Sequence, residues 1–253
     1  MIHAEEKHRE IIMKYLYEQP EINAFAIGDI YNYGFDKPFQ DVWIDNETNI
    51  NAVLVRYYEN LCICSYNHLI FKDFIQELID SSKIESYSGE TSYIQSYNFD
   101  NFQKKTHLTL AHFTKENNSY DYSLVKKLNV EHLDQIMDLM QQCFGYKVER
   151  EAIKNEFLTN TCRAYGIFDG DKLVSMAKST AESEKIAMVV MVCTDKEYRG
   201  KSYASKCTAK LSNELLSEGK IPCLYYVDPI AAKIYMKLGY ENIGLYSMIR
   251  KSE

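Results

Sequence analysis

The longest apolar run in the chain reads Ile186-Ala187-Met188-Val189-Val190-Met191-Val192-Cys193. A run of this length predicts a strand that is buried on both faces of a sheet. It continues directly into Thr194-Asp195-Lys196-Glu197-Tyr198-Arg199-Gly200-Lys201-Ser202-Tyr203-Ala204. Apolar residues then recur at helical spacing on one side, at Ala204, Cys207, Leu211 and Leu215. They predict a helix over about 200–218, which Gly219 is placed to end, so a short polar loop joins a buried strand to a long helix.

The polar loop after this strand predicts a site for an anion. The first N–H groups of a helix have no partner within it, and together with the helix dipole they favour a phosphate. Small residues at Gly200, Ser202 and Ala204 let a pyrophosphate approach the main chain, and Arg199 and Lys201 add positive charge. The loop is not a Walker loop, and the dinucleotide fingerprint G-x-G-x-x-G is absent, which weighs against a nicotinamide or nucleotide enzyme.

The surrounding sequence extends this unit into an α/β domain. After the long helix, 222–227 reads as a strand, and Asp228, Pro229 and Gly239 supply the N-cap, first residue and C-cap of a last helix. The other elements predicted in this half are strands over 123–128, 163–168, 172–179 and 242–250 and helices over 130–143 and 150–158.

The first 120 residues show a similar order of helices and strands, so the chain is expected to contain two tandem halves. Each half is expected to hold a mixed, mostly antiparallel central sheet flanked by helices. The elements predicted there are helices over 9–19, 23–33, 69–79 and 91–101 and strands over 40–44, 51–58, 61–64, 84–87 and 106–113. Residues 114–121 are the best linker candidate, which gives domains of 1–118 and 119–253.

The second half resembles the GNAT superfamily of acyl-CoA-dependent N-acetyltransferases. The loop of that superfamily reads Arg or Gln, two residues, Gly, one residue, then Gly or Ala, and here Arg199, Ser202 and Ala204 fill those positions. Ser202 stands where the family usually has Gly, and Asp228 where it commonly has Asn. The resemblance covers about 123–253. Over 1–118 the resemblance is limited to the order of the elements. The segment 64–69, which corresponds to the loop, carries no Gly and no Arg, and this implies a degenerate copy.

The resemblance implies that acetyl-CoA is the cosubstrate and that a primary amine attacks its thioester directly. The cofactor-binding residues expected from it are Val192, Cys193, Thr194, Arg199, Gly200, Lys201, Ser202, Tyr203, Ala204 and Asp228. Tyr235 matches the position of the family's general acid, and its alternative is a buried aromatic under the sheet. The acceptor is expected to be a small-molecule amine or a peptide amine.

The residue that takes the proton from the amine is less clearly indicated. Glu182 and Glu184 lie just before the buried strand and are candidates through a water molecule, although exposed hairpin charges are the simpler interpretation of both. Cys193 is a conceivable nucleophile, but 133–253 contains no His to activate it, which favours a small buried strand residue.

Charge and composition exclude several other classes of protein. The net charge is −7, with 10 basic and 18 acidic residues in 1–120 (−8) and 19 and 18 in 121–253 (+1), so neither half has the basic balance of a nucleic-acid binder. The longest apolar run is too short to span a membrane and the N-terminus lacks a signal-peptide core, so a cytoplasmic protein is expected. The seven cysteines contain no C-x-x-C pair, and no metal site is expected.

Two other functions remain open from the sequence. Ser202 and Asp228 are also consistent with a decayed site, that is, a non-catalytic acyl-CoA-binding or ligand-sensing module. A mainly structural dimerisation protein is the third possibility, and a homodimer is possible under each interpretation.

Overall fold

A computed structural model describes residues 1–35, 37–67, 69–81, 83–145 and 149–252. The chain forms two compact units. Unit 1 comprises Met1–Leu110 and Ile243–Glu253, and unit 2 comprises Ala111–Asn242. Among the helices so described, none is long and apolar enough to cross a lipid bilayer.

Unit 1 is an α/β unit with a mixed, mostly antiparallel sheet. Its elements are β1 (Ile2–His3), α1 (Arg9–Leu16), α2 (Ala24–Tyr33), β2 (Gln40–Ile44), β3 (Val53–Tyr57), β4 (Asn60–Cys64), α3 (Lys72–Asp80), β5 (Ser86–Glu90), α4 (Thr91–Ile94) and most of β6 (Lys104–Phe113). Strands β1 to β4 pair antiparallel in chain order, whereas β4 and β5 pair parallel, from Asn60↔Ser86 to Cys62↔Ser88.

Unit 2 repeats this order of elements. It contains the end of β6 and then β7 (Lys126–Leu128), α5 (Leu133–Phe144), α6 (Arg150–Leu158), β8 (Ala164–Asp169), β9 (Lys172–Thr180), β10 (Ile186–Thr194), α7 (Tyr203–Ser217), β11 (Ile221–Tyr226), α8 (Pro229–Leu238) and the start of β12 (Tyr240–Arg250). Strands β7 to β10 pair antiparallel, and β10 and β11 pair parallel. The predicted fold class, two halves with mixed, mostly antiparallel sheets, is confirmed.

The core of unit 2 lies on both faces of its sheet, as the apolar run of β10 predicts. On one face Ala187 and Val189 pack with the buried side of α7, which presents Cys207, Leu211 and Leu215 at 0% exposure. On the other face Cys193 packs with α5 residues. Burial of these side chains on both faces stabilises the strand on which the site is built.

The boundary between the compact units differs from the predicted division after residue 118. The end of β6, Ala111–Phe113, packs into the core of unit 2, and the part of β12 beyond Asn242 belongs to unit 1, where Tyr246–Arg250 pairs antiparallel with β5. The predicted linker also carries structure, since Asn117 donates to the Leu238 carbonyl at 2.8 Å. Strand pairing, which joins residues distant in the chain, decides the boundary.

Several predicted helices have different bounds in the structure, and the physical cause is clear for two of them. The helix predicted over 91–101 ends at Ile94, and the apolar residues beyond it instead form an aromatic cluster in which Tyr97 and Phe99 stack at 5.9 Å. The helix predicted from residue 200 begins at Tyr203, because Gly200 and Ser202 have left-handed φ values of +81° and +59°.

Candidate active site

A gap opens between the two parallel strands of unit 2. The pairing of β10 with β11 runs from Ile186↔Ile221 only to Met188↔Cys223, although both strands continue. On its other side, β10 changes register against β9 between Val190 and Cys193, where Met191 adopts a φ of +53°. A bulge of this kind bends the strand and frees main-chain groups from the ladder.

The main-chain groups of β10 that face the gap can be identified from its hydrogen bonds. The Asp195 N–H donates to the Val174 carbonyl of β9 at 2.9 Å, and Ser175 Oγ donates to the Cys193 carbonyl at 2.9 Å. Because such groups alternate along a strand, those of Val192 and Thr194 point away from β9, toward the gap. The carbonyl of Cys193 itself faces β9.

The loop between β10 and α7 is folded as a cradle for an anion. Its first turn, Lys196–Tyr198, is capped by Asp195, which accepts the Glu197 N–H at 3.0 Å. The left-handed conformations of Gly200 and Ser202 then turn the chain into α7. The first N–H groups of α7 have no acceptor within the helix and point to this side, where the helix dipole favours negative charge.

Two cationic side chains lie on the loop that forms the cradle. Arg199 is exposed and its Nε donates to the Thr194 carbonyl at 3.3 Å. Lys201 places its ammonium group 5.1 Å from the ring centre of Tyr198 and 5.9 Å from that of Tyr203. The two cations lie on the loop itself, so they favour a polyanion bound at the start of α7.

Gap and cradle form a single cavity of about 670 Å³. Ten of the twelve predicted site residues line it, namely Val192, Cys193, Thr194, Arg199, Gly200, Ser202, Tyr203, Ala204, Asp228 and Tyr235. Lys201 contacts the cavity wall through Tyr203. The cavity thus has a strand edge at one side, a helix N-terminus at another, and Tyr235 in its wall.

Tyr235 lies on α8 with 8% of its surface exposed, and its ring contacts Tyr226 at 5.7 Å and Tyr240 at 5.8 Å. Burial, with smaller effects of Cys193 and Asp228, raises the pKa of Tyr235 to about 12. The phenol is therefore protonated at neutral pH and is suited to donate a proton to a group in the cavity.

Asp228 is the N-cap of α8, as predicted. Its carboxylate accepts the Ile230 N–H at 2.7 Å, and Pro229 follows at the first helical position. This bond fixes the start of the helix that carries Tyr235, so Asp228 has a structural role in the site.

Glu182 lies outside the cavity, which corrects the predicted catalytic role. It is 6% exposed, accepts hydrogen bonds from Arg163 Nη2 at 2.8 Å and Lys220 Nζ at 3.0 Å, and precedes the far end of β10. Burial pushes its pKa upward, but the bonds from Arg163, Ser179 and Lys220 outweigh this and hold the pKa below the usual range. A carboxylate held in this way is a structural anchor, whereas Glu184 is exposed, as expected of a hairpin charge.

Sequence reasoning missed two groups of cavity residues. Cys143 and Phe144 reach the cavity from the end of α5, and Tyr225 and Tyr226 from the end of β11. The two tyrosines could have been predicted from the sequence. They end the strand that precedes the Asp228 cap, and a strand parallel to β10 must end beside the cavity. Cys143 and Phe144 could not have been predicted, since the position of the last turn of α5 depends on how the helix packs against β10.

The counterpart of the cradle in unit 1 is filled by its own side chains. The N–H of Phe71, just before α3, donates to the Tyr97 hydroxyl at 3.2 Å, and the N–H of Leu69 donates to Ser65 Oγ at 3.2 Å. The hydroxyls of Tyr93 and Tyr97 donate to the Leu69 carbonyl. Two main-chain N–H groups of the loop that precedes α3 are thus already bonded within unit 1.

In unit 1 the pairing of β4 with β5 also ends before the strands do, at Cys62↔Ser88, but the two strands are still close at Gly89. A Cβ on Gly89 of β5 would lie 2.6 Å from the Ile63 carbonyl oxygen of β4. The cavity beside them has a volume of about 350 Å³, and the charged residue among its described lining residues is Glu90. A carboxylate at this position disfavours a polyphosphate.

Comparison with known proteins assigns the chain to a family. A family model described as GNAT acetyltransferase matches residues 28–249, so the protein belongs to the GNAT acetyltransferase family, whose cosubstrate is acyl-CoA. The match includes most of both units, which agrees with the tandem fold. No curated protein matches the chain.

Several solved structures share the fold. A GCN5-related N-acetyltransferase-like protein from Streptococcus suis is 15% identical, with 98% of this chain and 100% of that chain covered and a TM-score of 0.62. A GCN5-related N-acetyltransferase from Kribbella flavida is 14% identical, with 80% and 87% covered and a TM-score of 0.61. A tandem GNAT protein from the clavulanic acid biosynthesis pathway is 11% identical, with 100% and 98% covered and a TM-score of 0.58.

Proposed function

We propose that the protein transfers an acetyl group from acetyl-CoA to a primary amine by direct attack of the amine on the thioester. The observation that carries this proposal is the single cavity of unit 2. It joins the gap beside Val192 and Thr194, the cradle at the start of α7, and the protonated Tyr235.

Each part of the cavity matches one part of the cosubstrate. The open N–H groups at the start of α7, with Arg199, suit the pyrophosphate. The main-chain groups of Val192 and Thr194 suit the amides of the pantetheine arm, which pairs with the strand edge as a further strand would. This order places the thioester deep in the gap, beside the bulge at Met191.

The chemistry follows from this placement. When the amine attacks, negative charge develops on the carbonyl oxygen, and a main-chain N–H at the bulged part of β10 is positioned to stabilise it. The C–S bond then breaks, and Tyr235 donates its proton to the departing sulfur. No covalent intermediate with the protein is needed.

We assign the catalytic site to unit 2 and propose that unit 1 is a degenerate copy. In unit 1 the N–H groups of Leu69 and Phe71, in the loop before α3, are bonded to Ser65 and Tyr97, and Glu90 repels phosphate. The acceptor is a small-molecule amine or a peptide amine.

Thiol release with a panel of amines tests the proposal. The protein is incubated with acetyl-CoA and each amine, and free coenzyme A is measured over time. We expect amine-dependent release of coenzyme A, with the acetylated amine detected by mass. Tight binding of acetyl-CoA without release in the presence of any amine would instead support a non-catalytic acyl-CoA-binding module.

A further inference from the structure

We infer that the cavity of unit 1 binds a small compound that carries a primary ammonium group. This site is separate from the cavity of unit 2, and the inference does not depend on the proposed acetyl transfer. It is carried by two side-chain oxygens, one from Glu90 and one from Asn23, that line the same cavity and are open to a donor.

The cavity is formed by residues of unit 1 alone. Its described walls come from the ends of β4 and β5, the connection between α1 and α2, the loop after β4, α4, and residues 243–245 of β12. Its volume of about 350 Å³ lies at the lower end of the range for sites that bind small molecules. The space therefore fits a compact ligand.

Glu90 gives this cavity a negative charge. It ends β5, and its Oε2 accepts the Tyr93 N–H at 3.2 Å and the Ser92 hydroxyl. Both bonds go to the same oxygen, so Oε1 is left without a donor among the residues that the structure describes. The described lining contains no lysine, arginine or histidine to pair with the carboxylate. A carboxylate that is held through one oxygen can accept a charged donor at the other.

Asn23 supplies a second acceptor oxygen. The residue is 3% exposed, and its Nδ2 donates to the Leu16 carbonyl at 3.0 Å and to the Tyr66 hydroxyl at 2.5 Å. A carbonyl partner requires the nitrogen of the amide on that side, which directs Oδ1 elsewhere. Oδ1 accepts no hydrogen bond from the described part of the chain and is not enclosed by protein, so it opens into the cavity that Asn23 lines.

Hydroxyl groups of the cavity wall are engaged within the protein. Tyr66 donates to the Tyr15 carbonyl at 2.8 Å, and Ser65 donates to the Asn51 carbonyl at 3.1 Å. Apart from the exposed Gln19, the side-chain groups left for a ligand are therefore acceptors, one of them charged. An ammonium group matches this set, because it carries three donors, no acceptor and a positive charge.

The net charge of the first half of the chain has the same sign as the cavity. Residues 1–120 contain 10 basic and 18 acidic side chains, which favours the approach of a cation. Unit 1 thus keeps a cavity beside its pair of parallel strands, as unit 2 does, but with Glu90 in the place of a cationic lining. The two cavities select ligands of opposite charge.

Calorimetric titration of the full chain with n-butylamine, without acetyl-CoA, tests the inference. The matched neutral compound is 1-butanol, which we expect to bind about 10–100-fold more weakly, since a hydrogen bond to a charged group is stronger than one between neutral groups. Glu90→Gln keeps the size of the side chain and an oxygen for the Tyr93 N–H, and it should weaken butylamine binding by a similar factor. Glu77→Gln, at an exposed position of α3 outside the cavity lining, should bind as the wild type does.

Amide hydrogen exchange with and without butylamine locates the site in the wild-type protein. Exchange should become slower in 63–66 and 89–93, at the ends of β4 and β5, and Glu90→Gln should remove this protection. The inference is overturned if the wild type shows no saturable binding, if 1-butanol binds equally well, or if protection appears only in unit 2. Full affinity in a folded Glu90→Gln would overturn it as well. Release of coenzyme A measures the proposed function separately, and its failure would leave this site unaffected.

Discussion

Ser202 stands where the resemblance to the family leads us to expect Gly, and its backbone conformation shows what a serine costs there. From the sequence it was expected in the first turn of a helix. It instead precedes α7 with φ at +59°, a conformation that costs a non-glycine residue about 1–2 kcal/mol. Because φ depends on how the loop leaves β10, the spacing of residues could not reveal this conformation.

Replacing Ser202 by Gly should therefore improve stability without weakening the binding of acetyl-CoA. Gly adopts the left-handed conformation freely and leaves more room for phosphate, so we expect about 1 kcal/mol of added stability and unchanged or tighter binding of acetyl-CoA. Ser202→Ala is the matched control, since it removes the hydroxyl but keeps the backbone cost. Chemical denaturation and calorimetry measure the two effects, and a less stable Ser202→Gly would contradict the explanation.

Tyr235→Phe should lower turnover and leave acetyl-CoA affinity nearly unchanged. The phenol acts only as sulfur takes on charge, so its loss affects the chemical step by about 10²–10⁴-fold. Phe keeps the ring in its contacts with Tyr226 and Tyr240, so the melting temperature should change little. Single-turnover thiol release measures the chemical step. Unaltered release in this variant would remove Tyr235 from the mechanism.

At the scale of elements, periodicity predicted most of the strands and helices of unit 2. The apolar run of β10, the spacing of Cys207, Leu211 and Leu215, and the caps Asp228 and Gly239 are local signals, and each predicts an element that the structure contains, although α7 begins three residues later than predicted. The bulge at Met191 and the end of pairing after Met188 depend on two neighbouring strands. For that reason local periodicity could predict neither the gap nor the reach of α5 into it.

The turn that leads into β10 is anchored by Glu182, and its replacement should affect stability and not catalysis. Glu182→Gln removes the negative charge that pairs with Arg163 and Lys220. Arg163 retains its ion pairs with Glu214 and Glu218. We expect the free energy of unfolding to fall by about 3 kcal/mol, with a normal kcat for the folded protein. Glu184→Gln, at an exposed position in the same turn, should change neither quantity.

The stabilisation by Glu182 should depend on pH in one direction. Its pKa is lower in the folded protein than the ordinary value of 4.5, so the folded state favours the carboxylate. The stabilisation is therefore fully present above about pH 4.5 and decreases as pH falls through the folded pKa. The difference in unfolding free energy between wild type and Glu182→Gln should shrink on acidification. A constant difference between pH 7 and pH 3 would argue against the anchor.

On the scale of the whole molecule, the last strand of the chain completes unit 1 by pairing with β5. The sequence predicted both halves and their order, but pairing between β12 and β5 joins residues more than 150 positions apart and has no local signal. Ile249, at 1% exposure, belongs to the core of unit 1. The predicted division after residue 118 would have separated this strand from the unit that it completes.

Ile249→Ala should accordingly destabilise unit 1. Removing a buried isoleucine typically costs about 2–5 kcal/mol, and amide exchange in β5 should become faster. Ile243→Ala, in the same strand but 41% exposed, is the control and should cost little. If hydrogen exchange instead rose only within 119–242, the assignment of β12 to unit 1 would be wrong.

Calorimetric titration of the full chain with acetyl-CoA both counts and locates the acyl-CoA sites. We expect one site per chain, because only unit 2 combines a strand gap with open N–H donors and Arg199 among the residues described. Ser202→Glu should abolish this binding, since its carboxylate would occupy and repel the phosphates, while Tyr235→Phe should retain it. Two sites per chain, or wild-type affinity in Ser202→Glu, would contradict the placement of acyl-CoA in the cavity of unit 2.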